Sequence, residues 1–218
     1  MNHPAAVLFD LDGTLLDTLE EIATTANAVL DRHGYSGHKI EAYRYFIGGG
    51  VGRLVERILP EGCRSNEQVR QFTQELADEY ERRSDLLTKI YPGIPELLTA
   101  LEDLEIDKAI LSNKPHHLTL SCVSRFLSAW RFHLVLGQKA GIPRKPDPAG
   151  ALKVAEDLGL PATSVLYVGD TDVDMTTARA AGMTSVGVLW GFRSREELVA
   201  HHADFIVEAP DEILSFLN

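Results

Sequence analysis

Ala5-Ala6-Val7-Leu8-Phe9-Asp10-Leu11-Asp12-Gly13-Thr14 decides the reading of this 218-residue chain. Its first half, residues 5–9, is apolar and runs straight into a glycine-containing turn, the signature of a short buried strand. Two carboxylates, Asp10 and Asp12, then leave the strand tip, where open α/β sheets bind their ligands. On an extended backbone, residues two apart point the same way, so both acids can face one bound group. Like charges that close need a cation or a shared proton between them. An acidic turn that caps the next helix through Thr14 or Asp17 is the plainer alternative.

Further apolar runs recur at residues 108–111, 133–136, 165–168, 185–189 and 205–207. Helix-like stretches separate most of them, the rhythm of a parallel sheet wound on both faces. In residues 149–158, Ala151, Leu152, Ala155 and Leu158 form an apolar face between Pro148 and Gly159. The rhythm breaks over residues 17–87. There, Leu19, Ile22, Ala23, Ala26, Val29 and Leu30 form a helical stripe that stops at Gly34. Leu54, Val55, Ile58 and Leu59 form a second stripe before Pro60, and Phe72, Leu76 and Tyr80 mark a third helix. So long a helical stretch is not a normal crossover between neighbouring strands. The expectation is an α/β protein: a Rossmann-like parallel-sheet core of residues 1–16 and 88–218, with an all-helical cap domain, residues 17–87, inserted after the first strand. The linkers fall at residues 16–18 and 86–93, where Tyr91-Pro92-Gly93 marks the return.

Composition narrows the partners. The chain is 44% hydrophobic and 24% charged, ordinary for a globular protein. Its 21 basic and 32 acidic residues leave a net charge of −11, which opposes nucleic-acid or anionic-membrane binding. An anionic substrate must then be drawn in locally, by a metal and a few cations. Cys63 and Cys122 lack a C-x-x-C neighbour and read as reduced thiols without a zinc site. No basic-then-apolar leader and no apolar stretch of about 18 residues is present, so the expectation is a cytoplasmic protein, monomer or homodimer, with no membrane partner.

Three more signals follow the first in order. Ser112 ends an apolar run in Ala109-Ile110-Leu111-Ser112-Asn113; Lys145 lies in Arg144-Lys145-Pro146-Asp147-Pro148; and a second acidic strand tip reads Val168-Gly169-Asp170-Thr171-Asp172-Val173-Asp174. With Asp10-Leu11-Asp12-Gly13-Thr14, these four motifs resemble those of the haloacid-dehalogenase-like superfamily of phosphohydrolases, over essentially the whole chain. Phosphate-ester hydrolysis is slow because an anionic electrophile repels nucleophiles and the alkoxide leaves poorly. The resemblance distributes the remedies. Asp10 is the expected nucleophile, forming an aspartyl-phosphate, and Asp12 the general acid and then base. The dehalogenase branch lacks an aspartate at the place of Asp12, so phosphoryl transfer is favoured over halide displacement. Asp170 completes an expected Mg²⁺ site with Asp10 and the backbone carbonyl of Asp12. Asp174, one helical turn on, supports it, and Asp172 is the rival ligand. Ser112 and the amide of Asn113 hold phosphate oxygens, as do the amides of Leu11 and Gly13. Lys145 neutralises the phosphate and orients Asp10, with Arg144 and Lys139 as nearby rivals.

Substrate choice falls to the cap. Tyr45-Phe46-Ile47-Gly48-Gly49-Gly50-Val51-Gly52-Arg53-Leu54-Val55-Glu56-Arg57 resembles the cap of the phosphoglycolate phosphatase family. The resemblance implies a small anionic phosphate ester, 2-phosphoglycolate, met by Gly49, Gly50 and Arg53, with Arg53 pairing its carboxylate. A flexible interhelical turn is the plain alternative. Pyrophosphatases, sugar-phosphate phosphatases and β-phosphoglucomutase share the motifs and variants of this turn, and an idle phosphate-binding protein is the remotest reading. The pairs His116-His117 and His201-His202 read as surface residues, and Trp190, Gly191 and Phe192 either border the site or simply pack.

Overall fold

The structure, a computed structural model, describes residues 4–83 and 87–217; Leu86, where the expected return linker begins, lies outside them. In chain order the elements are β1 (Ala6–Phe9), β2 (Leu16–Asp17), α1 (Leu19–Arg32), α2 (Tyr43–Phe46), α3 (Val51–Ile58), α4 (Asn66–Arg83), β3 (Lys89–Ile90) and α5 (Ile94–Asp103). They continue with β4 (Asp107–Pro115), α6 (His116–Phe126), β5 (Leu134–Gln138), α7 (Ala149–Leu158), β6 (Val165–Gly169), α8 (Asp172–Ala181), β7 (Thr184–Val188), α9 (Arg195–Ala200) and β8 (Phe205–Val207). One compact unit holds Met1–Asp17 and Ile90–Asn218; the other holds Thr18–Lys89.

The first unit is built on a six-stranded sheet in the order β5-β4-β1-β6-β7-β8, parallel at every pairing. All four residues of β1 are fully buried, which is why its sequence is a continuous apolar run rather than an alternating one. From β1 the chain moves outward to β4, and from β6 it moves the opposite way to β7. The switch point of the sheet therefore lies between β1 and β6, whose carboxyl ends lead into Asp10 and Asp170. Beneath the sheet, Ala6, Leu8, Leu111, Leu136, Val154 and Tyr167 share one apolar cluster. Helix α7 contributes Ala151, Val154 and Ala155 to it and Leu158 packs against it, so the expected face holds except at Leu152, which is 43% exposed while Val154 takes its place.

Strand β4 runs on through Ser112, Asn113 and Lys114, past the expected end at residue 111. Its register against β5 shifts between Leu111 and Pro115, so these polar residues form an irregular strand end that an apolar-run reading misses. Opposite them, Gly137 leaves room for the bulged chain; a Cβ there would sit 2.3 Å from Thr119 Oγ1 and 2.8 Å from the Lys114 carbonyl.

In the helical unit, α1 and α3 pack against α4 around Ala23, Leu30, Leu54, Val55, Phe72 and Leu76. The carboxylate of Glu79 is buried, and Arg32 meets it at 2.6 Å with Arg82 beside it. Buried Glu21 accepts the Leu87 amide at 2.7 Å and faces Arg83 at 3.6 Å. The two linker segments are not loops alone: β2 and β3 pair as a two-stranded ribbon, and the Tyr91 amide donates to the Leu15 carbonyl at 3.2 Å. Among the described residues, no helix is long and apolar enough to cross a membrane.

Leu8 is wholly enclosed and α7's Leu152 is not. Leu8→Ala is expected to lower unfolding stability by about 2–5 kcal/mol, the cost of an unfilled core cavity, and Leu152→Ala by about 0.5 kcal/mol or less, both read by urea titration.

Candidate active site

The carboxyl ends of β1 and β6 bring three carboxylates together. One oxygen from each of Asp10, Asp170 and Asp174 lies within 4.8 Å of the others, and all three residues are buried. Lys145 answers them. Its ammonium lies 2.9 Å from Asp10 Oδ1, donates to Asp174 Oδ1 at 2.7 Å and to the Leu111 carbonyl at 3.1 Å. Three hydrogens meet three acceptors, so the ammonium is fully committed. The backbone carrying it is clamped by Asn113, whose Nδ2 donates to the Lys145 carbonyl at 3.0 Å while its Oδ1 accepts the Lys145 amide at 2.9 Å.

The acids are not equivalent. Asp174 Oδ1 accepts from Lys145 and, at 3.3 Å, from the Tyr167 hydroxyl; its Oδ2 accepts the Thr171 amide at 3.1 Å and the Thr171 hydroxyl at 2.6 Å. Both oxygens are saturated, so Asp174 anchors Lys145 and caps α8 in a capping box with Thr171. Asp170 accepts the Thr14 hydroxyl at 3.0 Å on Oδ1 and the Phe192 amide at 2.8 Å on Oδ2. Burial pushes the Asp170 carboxyl up to about 7, Asp174 adding to the rise and the Phe192 amide and Thr14 hydroxyl opposing it. Burial, with Asp174 and Asp170, also holds Asp10 well above the ordinary carboxylate range against the pull of Lys145. For Lys145 burial works downward, but Asp10 and Asp174 outweigh it and hold the ammonium well above its usual range.

Three glycines make this crowding possible. A Cβ on Gly13 would lie 2.3 Å from Asp170 Oδ2, on Gly169 2.4 Å from Asp174 Cβ, and on Gly191 2.2 Å from Asp170 Cβ. Gly13 thus clears space for Asp170, while its amide is spent on the Leu16 carbonyl at 2.8 Å rather than left for a phosphate. Leu11 buries its side chain completely and turns the loop by accepting the Leu15 and Leu16 amides, each at 3.0 Å.

Asp12 stands apart from the carboxylate cluster and has its own cation. Lys114 Nζ donates to Asp12 Oδ1 at 3.0 Å, a pairing across 102 positions of sequence. Ser112 is buried beside it, its Oγ accepting the Lys114 amide at 3.2 Å. Lys114 escaped the sequence reading because nothing local distinguishes a lysine that follows a strand from a surface one. Asp172 lies 3.4 Å from Arg193, outside the cluster, and Arg144 and Lys139 are exposed. His117, His201 and His202 are exposed, whereas His116 Nδ1 accepts the Gly137 amide at 3.1 Å. Trp190 Nε1 donates to the Thr14 carbonyl at 2.9 Å, so the segment after β7 does border this site. Gly49, Gly50 and Arg53 belong to the helical unit: Gly50, at φ 85°, starts α3, and Arg53 pairs with Glu56 at 3.0 Å.

The sequence model of the haloacid dehalogenase-like hydrolases matches residues 7–188. The chain belongs to that family. It is a hydrolase, and over nearly its whole length it is similar to phosphoric monoester hydrolases. A phosphoglycolate phosphatase of Xylella fastidiosa is 35% identical over 95% of this chain and 90% of its own. The N-acetylmuramic acid 6-phosphate phosphatase of Pseudomonas aeruginosa is 32% identical over 98% and 94%. A crystal structure of a candidate phosphoglycolate phosphatase from Lactobacillus delbrueckii subsp. bulgaricus superimposes with a TM-score of 0.92 at 28% identity, covering 99% of this chain and 98% of that one.

The donor set of this hydrolase suits a hard divalent cation. Within the cluster, three carboxylates face one ammonium, which leaves two negative charges uncompensated when all are ionised. Asp10 and Asp170 retain oxygen lone pairs for a metal, and Asp174 has spent its own. Because Asp10 and Asp170 sit above their ordinary range, the folded metal-free protein keeps protons that the unfolded chain has released. The contribution of Asp170 to stability therefore falls as pH rises from the ordinary carboxylate range to about 7, and that of Asp10 falls in the same direction. A bound cation displaces those protons. Adding MgCl₂ is thus expected to raise the Tm more at pH 8 than at pH 5, and Asp170→Asn to shrink the increment. Equal increments at both pH values would count against cation binding in this cluster.

Proposed function

We propose that the chain is a Mg²⁺-dependent phosphomonoester hydrolase that works through an aspartyl-phosphate on Asp10, with 2-phosphoglycolate as its substrate. One observation carries the reading: two aspartates two positions apart are given opposite settings. Asp10 lies inside the buried carboxylate cluster, 2.9 Å from Lys145. Asp12 lies outside it, 3.0 Å from Lys114. The first setting suits a nucleophile held in place for in-line attack, and the second suits a proton carrier on the leaving side.

In the first step a carboxylate oxygen of Asp10 attacks phosphorus, the ester P–O bond breaks, and Asp12 gives its proton to the departing oxygen. In the second, Asp12 takes a proton from water, whose oxygen attacks phosphorus and breaks the bond to Asp10, releasing inorganic phosphate. Lys145 holds Asp10 throughout, and the Ser112 hydroxyl and Asn113 amide bind phosphate oxygens. Asp10, Asp170 and the Asp12 carbonyl, with Asp174 in support, would hold Mg²⁺, which would supply neutralising charge for the phosphate. Residues 17–87 act as the cap that selects the substrate, through Gly49, Gly50 and Arg53. Neither Cys63 nor Cys122 is in a disulfide, which fits a reducing cytoplasm. Support for the substrate comes from the relatives named above, phosphatases whose named substrates are both phosphate esters of carboxylic acids.

Asp10→Asn keeps the shape of the nucleophile and removes its charge, so phosphate release is expected to fall by about a thousandfold or more with the protein still folded. Chelation is expected to abolish turnover, with Mg²⁺ restoring it and Ca²⁺ doing so poorly because its coordination is larger and looser. Near-normal activity in either case would refute the mechanism. For the substrate, kcat/KM across a panel of small phosphate esters is expected to peak at 2-phosphoglycolate, and Arg53→Ala to lower that peak by about ten- to a hundredfold.

A further inference from the structure

Lys114 is a buried cation whose part in the chemistry above is confined to pairing with Asp12. Its side chain is 6% exposed and lies at the irregular end of β4, 3.0 Å from Asp12. A buried ammonium is costly unless something requires it, and a surface ion pair would have served Asp12 at less expense. Its backbone is fixed from three directions. The Lys114 amide donates to Ser112 Oγ at 3.2 Å, its carbonyl accepts from Thr119 Oγ1 at 3.2 Å, and Gly137 permits the approach of β5. The ammonium is therefore held in position by the strand rather than trailing from a flexible loop.

Three other cations of this unit are engaged elsewhere, and Lys139 and Arg144 are exposed. Lys145 spends its three hydrogens on Asp10, Asp174 and the Leu111 carbonyl, and turning toward a leaving group would release the nucleophile. Arg193 faces Asp172 at 3.4 Å and Glu197 at 3.8 Å. Lys108 lies at the opposite end of β4, 3.2 Å from Glu102. Lys114 stands beside the carboxyl assigned to the departing oxygen.

We propose that Lys114 binds the carboxylate of the substrate, and that the enzyme acts on short phosphate esters whose leaving group carries a carboxylate next to the ester oxygen. In such an ester one carbon separates the two groups. A cation in contact with the acid that protonates the ester oxygen then lies within reach of that carboxylate. The ammonium–carboxylate contact is charge-assisted and shielded from water, so it discriminates strongly against neutral leaving groups. This inference rests on the phosphatase reading and adds a core cation to the cap residues that select the substrate.

The test compares kcat/KM for 2-phosphoglycolate with that for ethyl phosphate, which has the same ester and no carboxylate. Wild type is expected to prefer 2-phosphoglycolate. In Lys114→Met that preference ratio is expected to fall by about ten- to a hundredfold, chiefly through KM, and Lys114→Arg to retain more of it than Met because it retains the charge. Should the methionine variant fail to fold, as judged by its thermal transition, Lys114→Gln replaces it. An equal loss on both esters, carried by kcat, would overturn the proposal and leave Lys114 as a positioning residue for Asp12. Absence of any preference in wild type would instead overturn the phosphoglycolate reading itself, and is seen before any variant is made.

Discussion

One buried ammonium holds the chemical end of this molecule together. Lys145 reaches across to Asp10 at the end of β1, to the Leu111 carbonyl in β4, and to Asp174 in the first turn of α8. Those elements lie on both sides of the switch point of the sheet, so a single side chain ties its two halves at the place where they diverge. Without it, three carboxylates would share a water-poor pocket with only hydrogen bonds and the more distant Arg193 to offset their repulsion. The clamp of Asn113 on the backbone of Lys145 has the same logic: a cation with three obligations has to arrive at one position.

The burial that makes the site reactive follows from packing as much as from charge. Gly13, Gly169 and Gly191 press the chain against Asp170 and Asp174 so closely that no side chain fits between. Water is excluded by the same contacts, which is why Asp170 is raised to about 7 despite two hydrogen bonds that work against the rise. An ion brought there meets carboxylates already set in place, and its attraction is not diluted by solvent.

What could be read in the sequence was whatever has a local signature. The run ending at Phe9, the acids at two strand tips and the helical stripes closed by Gly34 and Pro60 all announce themselves within a few residues. The polar end of β4 does not, because Ser112, Asn113 and Lys114 interrupt the apolar run while the strand continues. The pairing of Lys114 with Asp12 spans 102 positions and leaves no trace in either neighbourhood. Gly13 is legible as a turn residue, but that its missing Cβ makes room for Asp170 is a fact of the folded chain. Leu152 shows the converse: the face of Ala151, Ala155 and Leu158 has Leu152 on one flank and Val154 on the other, and only the sheet beneath decides which flank is buried.

The ribbon of β2 and β3 has a consequence for the segment that it brackets. It sets the point of departure from the core and the point of return side by side, about one strand spacing apart. Once two ends are fixed at that separation, the entropy of whatever joins them grows only slowly with its length. The ribbon is thus a socket. Segments of different size and shape can be joined there at little extra entropic cost while the sheet, its lysine and its aspartates stay as they are.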